Sequence, residues 1–218
     1  MKNKQERSSK SRENVMERTL QDFWAKDVWN VIECPLRTEP WIYKGKNIFF
    51  DRICNASLRT ELKYFFASML IEKHYSVKTV FNNYKGVSGR MFDFFNTVMP
   101  RLNSVVDVRK EKLILQWRTY LEENGIKTLT PLRINAVDGQ VRQSVTSYIS
   151  VMNRFYDYMY DFYDEREEFE KDRWDVRNLG LQYNVTSVNY YLDFRKIPNV
   201  HRALVKRYIK LKLRLFAG

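Results

Sequence analysis

The 218-residue sequence predicts an all-α protein. Four segments repeat apolar residues at intervals of three and four, which is the spacing of one face of a helix. Only seven glycines and five prolines are present, too few for a turn-rich β-sandwich. A hydrophobic content of 44% with 15% aromatic residues is enough to form a buried core. A folded helical protein is therefore expected, rather than a disordered one.

The N-terminal region is predicted to form a basic flexible arm, residues 1–22, because its first 21 residues are polar and rich in Lys and Arg. Trp24, Trp29 and Trp41 follow in a stretch that reads as a loop. We interpret these aromatic residues as a clasp over the helical core, with a base-stacking platform as the alternative. Residues 48–50 are too short to predict as a strand and are expected to fill the helical core.

The first helix is predicted over residues 57–73 from a single apolar face. The second is predicted to begin at Ser76, a good N-cap residue, and to end at Pro100. Its polar positions carry Lys, Asn, Thr and Arg, and no acid precedes Asp93. Ordinary surface helices mix both charge signs to gain pairs four residues apart, so this face is unusual.

The third helix is predicted to be capped by Asp107 and to end at Asn124-Gly125, a pair suited to a left-handed helix end. Residues 126–140 read as a loop. The fourth helix is predicted from about residue 143 to 163, and its first three turns are again free of acids. Helices one to four, with the aromatic stretch before them, are predicted to form a domain over residues 23–163.

A spacing pattern occurs twice along the chain. Trp, Phe, Ile and Lys occur at positions 29, 50, 53 and 63, and again at 174, 194, 197 and 206. We interpret this as a divergent internal repeat whose second copy is incomplete. Residues 164–218 are therefore predicted to hold an acidic connector followed by the start of a second, truncated copy.

Charge is distributed unevenly. The net charge is +12, yet residues 156–172 hold eight acids against two cations, a balance of −6 that leaves +18 for the remainder. Such an excess attracts polyanions and favours nucleic acid as a partner. Solubilising surface charge is the alternative explanation.

No enzyme motif is recognisable. The two histidines, His74 and His201, cannot assemble a metal site or a Ser-His-Asp triad, so neither a metal, a cofactor nor a small-molecule substrate is expected. No apolar run of membrane-spanning length occurs, and the N-terminus does not resemble a secretory signal. Two unpatterned cysteines fit a reduced compartment, and a cytoplasmic, nucleoid-associated location is expected.

The acid-free halves of the second and fourth helices are the predicted DNA-binding face, because Lys, Arg, Ser and Thr contact phosphates and Asn can read a base edge. Helix N-termini add backbone N–H groups that suit phosphate. The predicted contact residues are Lys78, Thr79, Asn82 and Lys85 on the second helix, and Arg142, Ser147, Ser150 and Arg154 on the fourth.

Three segments in succession resemble the core-binding domain of tyrosine recombinases, the phage-type integrases, in a transposon-like form. They are Ser76-x-x-Thr79 with Asn83-Tyr84 and Met91-Phe92-x-Phe94-Phe95, then Asp107-Val108 through Trp117-x-x-Tyr120-Leu121 to Asn124-Gly125, and finally Thr146 followed by Phe155-Tyr156 and Tyr158. The resemblance covers about residues 48–163. It implies a four-helix, SAM-like domain that forms half of a clamp on duplex DNA, and it allows other recombinase protomers as partners.

The same resemblance implies a separate catalytic domain with an Arg, a Lys, an H-x-x-R motif and a nucleophilic Tyr. Neither His74 nor His201 is followed by Arg three residues later, so this chain alone is not expected to cleave DNA. Two alternatives remain. One is a helical protein-interaction module that docks through the aromatic residues 156–163 and the acidic connector, and the other is an RNA-binding helical protein.

Overall fold

A computed structural model describes residues 14–38, 46–134, 139–180 and 190–216. The chain divides into two compact units, Met1–Tyr160 and Asp161–Gly218. The described residues are mostly helical, which confirms the helical fold class at that level, but three two-stranded antiparallel sheets depart from an all-α protein. The predicted domain limits and the SAM-like assignment stay predictions.

The first unit opens with a short helical segment, residues 14–19, and a small sheet. Strand β1 (Val28–Asn30) pairs with β2 (Asn47–Phe49), and Trp29 lies opposite Ile48. The expectation of a loop at Trp29 and of no strand near residue 48 was therefore wrong. Each strand has only three residues, so no alternation of apolar and polar residues could reveal it.

The tryptophan clasp is consistent with the burial of two of its members. Trp24 and Trp29 are buried and their rings pack edge to face at 5.0 Å. Buried rings cannot serve as a platform for nucleic-acid bases. Trp41 lies outside the described residues.

Four longer helices complete the first unit: α1 (Ala56–Ile71), α2 (Lys85–Thr97), α3 (Lys110–Glu123) and α4 (Ser147–Tyr163). Helix α1 lies at the centre, and every residue from 61 to 70 is buried. The first, third and fourth helices were predicted in the right places. A central helix buried all round has no polar face, so its full length depends on tertiary packing.

The second predicted helix is interrupted. Residues 77–78 are helical, Thr79–Asn83 forms a π-helical turn, and α2 begins only at Lys85. Val80 and Phe81, inside the π turn, are both fully buried. The turn interrupts the regular helix between the Ser76 cap and α2, so the predicted second helix is not continuous.

Two further boundaries differ from prediction. Asp107 does not cap α3 but forms a reciprocal capping box with Ser104 around a 3-10 turn, Val105–Asp107. Strand β3 (Arg133–Ile134), inside the segment predicted as a loop, pairs antiparallel with β4 (Val141–Arg142), which lies just beyond that segment. Local polar pairing explains the first difference, and strands of two residues escape any periodicity analysis.

The second unit repeats the first sheet. Strand β5 (Arg173–Asp175) pairs with β6 (Tyr191–Asp193), and helix α5 (Asn199–Phe216) follows. Trp174 packs on Phe194 at 4.5 Å between ring centroids, as Trp29 packs on Phe50 at 4.6 Å.

Charged contacts repeat with the sheets. In the first unit the Lys63 ammonium donates to the Asp27 carboxylate at 2.9 Å, and Arg59 donates to the carbonyl of Ile53. In the second, Lys206 lies 3.5 Å from Asp172, and Arg202 donates to the carbonyl of Ile197. The repeated spacing in the sequence thus corresponds to a repeated three-dimensional arrangement.

The acidic run is less solvated than a connector would be. Glu168 pairs with Lys171 at 2.9 Å, and Asp172 lies within 4 Å of Arg166, Arg202 and Lys206. These acids neutralise cations of the second unit. Helix α4 ends at Tyr163, the predicted end of the fourth helix, so the acidic run from residue 164 lies outside it.

Candidate nucleic-acid interface

The interrupted second helix begins with a side-chain cap. The Ser76 hydroxyl accepts a hydrogen bond from the backbone N–H of Thr79 at 3.1 Å and lies 2.9 Å from the Thr79 hydroxyl. Thr79 therefore helps to fix the helix start, in addition to any contact with a ligand. Lys78 stands beside it and is exposed.

Asn82 is half-buried in the π turn, and its side-chain oxygen accepts a hydrogen bond from the ammonium of Lys46. A bidentate reading of adenine requires both the oxygen and the nitrogen of an Asn side chain. The predicted base-reading role of Asn82 would thus require Lys46 to move. The structure instead places Lys46, which precedes β2, beside the predicted surface.

The starts of α2 and α4 lie next to each other. A Cβ atom built on Gly86, the second residue of α2, would stand 3.8 Å from the hydroxyl of Tyr148, the second residue of α4. The first residues of these helices, Lys85 and Ser147, are both exposed. The first turns of these two helices are therefore in contact through the Tyr148 side chain, and a helix N-terminus favours an anionic ligand.

Arg154 lies over an aromatic pair. Its guanidinium carbon is 5.4 Å from the centroid of the Tyr75 ring, and Tyr75 packs edge to face on Tyr84 at 5.0 Å. Burial raises the pKa of Tyr75 to about 12, so the phenol is neutral at physiological pH. Arg154 itself is exposed, so this contact positions its charge at the surface beside Tyr84, directly before α2.

The structure gives less information on two other predicted DNA-contact residues, Ser150 and Arg142. The Ser150 hydroxyl donates to the carbonyl of Ser147 at 3.2 Å, a local helix contact. Arg142 pairs through its backbone with Arg133 in the hairpin, and the positions of both side chains lie outside what the structure describes.

The surface that results has a defined composition. It has no acid in residues 75–92 or 139–156. We call it the basic face and define it by its four cations, Lys46, Lys78, Lys85 and Arg154. Sequence reasoning missed Lys46 because that residue lies 36 positions before Asn82, with which only the fold brings it together.

No metal centre is apparent. Among the residues that the structure describes, no group of three or more His, Cys, Asp or Glu side chains could hold an ion. His74 lies 3.2 Å from Glu72, and His201 is exposed in the first turn of α5. Within the same described ranges, no helix is both long and apolar enough to cross a membrane.

The fold and surface thus define a mostly helical protein with a basic face at two adjoining helix starts. No family model matches the chain, and no solved structure matches it. It is similar to transposase B from transposon PsiTn554 of Staphylococcus aureus, with 34% identity over 213 residues, 92% of this chain and 34% of the relative.

Transposase B from transposon Tn554 of Staphylococcus aureus strain Mu50 / ATCC 700699 is also similar, at 34% identity over 211 residues. The match covers 91% of this chain and 33% of that relative. The same values hold for transposase B from Tn554 of strain N315. The chain spans about one third of the length of the curated relatives it matches.

Proposed function

We propose that this chain is a DNA-binding part of a transposase of the tyrosine recombinase kind and that it clamps duplex DNA with its basic face. The observation that carries the proposal is the contact between the first turns of α2 and α4, where a Cβ atom built on Gly86 would stand 3.8 Å from the Tyr148 hydroxyl. The similarity to transposase B supports a role in transposition. The four-helix, SAM-like core-binding assignment of the first unit belongs to the same proposal.

In this proposal Lys46, Lys78, Lys85 and Arg154 contact phosphates, and the helix N-termini add backbone donors. The chain does not cut DNA by itself, since it carries no H-x-x-R motif. The reaction belongs to the whole recombinase, which acts with other protomers in the cytoplasm, at the nucleoid. Ser147 and Ser150 are secondary contacts at the start of α4, and Arg142 is a further predicted contact whose side chain lies outside what the structure describes.

A salt series tests the proposal. Fluorescence anisotropy with a labelled random duplex should give an affinity that falls steeply as salt rises, because each neutralised phosphate releases counterions. Replacing Lys78 and Lys85 together by Ala should lower the slope of log affinity against log salt by about two units. The control is Arg101→Ala, which removes one exposed cation from the turn beyond the other end of α2 and should leave the slope unchanged.

Each possible result of the salt series has a distinct meaning. A flat salt slope for the unaltered chain rejects DNA binding. An unchanged slope in the double variant, or an equal loss in Arg101→Ala, rejects the basic face as the site. Tighter binding to an RNA duplex than to the DNA duplex favours the RNA-binding alternative.

The protein-interaction alternative loses part of its proposed surface. Tyr156 is buried, and the Tyr158 hydroxyl donates to Glu72 of the same unit at 3.3 Å. Burial also raises the pKa of Tyr158. These two aromatic residues pack within the first unit, whereas Tyr160 of the same segment is exposed.

A further inference from the structure

Helix α5 carries an exposed apolar stripe. Leu204, Tyr208, Leu211 and Leu215 follow one another at intervals of four, three and four, and between 56% and 69% of each residue is exposed. That spacing places all four on one side of the helix. A contiguous exposed stripe of large apolar residues marks an interaction site.

The first unit shows what covers the equivalent side of α1. Tyr208 stands six residues after Arg202, as Phe65 stands six residues after Arg59. Phe65 is fully buried, with its ring 5.4 Å from Phe155 of α4. Tyr208 is 56% exposed.

Two more positions show the same contrast. Leu204 corresponds to Glu61 and Leu211 to Ser68, counted from the same arginines. Glu61 is buried and accepts a hydrogen bond from the backbone of Val105, and Ser68 is buried as well. The inner scaffold is thus shared, and among the residues that the structure describes the outer side is buried in the first unit and exposed in the second.

The charges on α5 further restrict which kind of partner can bind to the apolar stripe. Helix α5 has six cations and no acid. Lys206 turns towards Asp172, and the Lys210 ammonium lies 4.3 Å above the Phe169 ring. Arg207 and Arg214 are exposed and lie beside the stripe.

A second copy of α5 is a poor partner, because pairing two such helices would bring cations together with no carboxylate between them. A DNA duplex is equally poor, because it would leave four large apolar side chains facing phosphates. An acidic amphipathic helix would cover the apolar stripe with its own apolar side and place its carboxylates next to the cations of α5.

We propose that the apolar stripe of α5 is a docking face for an amphipathic protein helix of the α4 kind, with aromatic residues on its apolar side and carboxylates next to them. Helix α4 has this chemistry: Phe155 and Tyr158 pack on Phe65, and Asp157 and Asp161 lie in the same turns. The proposal is independent of DNA binding by the basic face.

The test uses a peptide of residues 147–163, carrying a photo-crosslinker at the position of Tyr158, with the full chain. Mass spectrometry should locate the cross-link on α5, between residues 204 and 215. In anisotropy, Leu204→Asp with Leu211→Asp should weaken peptide binding at least about tenfold. Both side chains are largely exposed, so these changes should leave the fold intact.

Ala203→Asp is the control, because it adds one of the two negative charges of the double variant at an exposed position off the stripe and should leave binding unchanged. A peptide with Ala at positions 155 and 158 should bind at least about tenfold more weakly.

Several results would overturn the inference. They are cross-links confined to the first unit, no saturable binding of the peptide, equal weakening by Ala203→Asp, self-association of the chain through the stripe in sedimentation, or binding of the stripe to anionic vesicles in place of the peptide. If the double variant loses helicity by circular dichroism, the cross-link position on the unaltered chain still decides the question.

Discussion

The two sheet-and-helix arrangements differ in what lies outside them. In the first unit residues 61–70 of α1 are buried, whereas in the second unit the apolar stripe of α5 is exposed to solvent. Their inner contacts are nevertheless the same: a Trp on a Phe, and a Lys beside an Asp. The comparison indicates that the inner contacts specify the scaffold, while the outer side of the helix determines what each unit associates with.

The largest expected effect comes from truncating the outer aromatic residue in each unit. Phe65→Ala should lower the free energy of unfolding by about 3–5 kcal/mol, because a fully buried ring is replaced by a cavity. Tyr208→Ala, at a position that is 56% exposed, should change it by no more than about 0.5 kcal/mol. Urea unfolding with hydrogen exchange read separately for each unit measures both.

Equal losses in the two variants would mean that the outer side of α5 is covered in solution, contrary to its exposure in the structure. Leu204→Ala provides a second exposed position at which a small effect is expected.

A smaller effect should be shared by the two units. The Lys63 side chain is 9% exposed and that of Lys206 is 15% exposed, and each donates to a backbone carbonyl near its Asp. Replacing either by Met keeps the aliphatic stem but removes the donor, and should cost about 1–3 kcal/mol in its own unit. Hydrogen exchange resolved by unit is again the measurement.

A loss confined to Lys63→Met would show that the scaffold of the first unit depends on its covering helices. The inner contacts would then not specify the arrangement by themselves.

How much the sequence could predict depends on the range of the interactions involved. The long helices follow from apolar spacing, and the Trp-to-Lys repeat follows from counting. The break at Tyr84 does not, because the apolar spacing of Val80, Tyr84 and Val87 continues through it. Three-residue strands such as β1 hold no periodicity at all.

The candidate site was predictable in outline only. Acid-free helix faces are visible in the sequence, and the fold brings their starts together. The hydrogen bond from Lys46 to Asn82 and the ring contact of Arg154 with Tyr75 depend on residues that are distant in sequence. Helix α5 also has an acid-free sequence, with six cations. Its inner cations, however, contact an acid and an aromatic ring of its own unit.

The smallest expected effect is a difference between the two units in how their stability depends on pH. The guanidinium of Arg195 donates to both oxygens of Asp193 and lowers the pKa of that carboxyl to about 2. The first unit has Phe49 and Asp51 at the equivalent positions and no such pair. The second unit should therefore be the more sensitive to acid through this contact.

A lowered pKa in the folded state contributes stability above the unfolded value near 4, and that contribution is lost as the pH falls towards 2. Because the pair is partly exposed, we expect about 1 kcal/mol. Asp193→Asn should therefore lower the stability of the second unit by about that amount at neutral pH, with no difference from the unaltered chain below about pH 2. Asp51→Asn is the control, and unit-resolved unfolding between pH 2 and 7 is the measurement. A difference that persisted unchanged to pH 2 would mean that the introduced amide disturbs the turn itself rather than removing an ion pair.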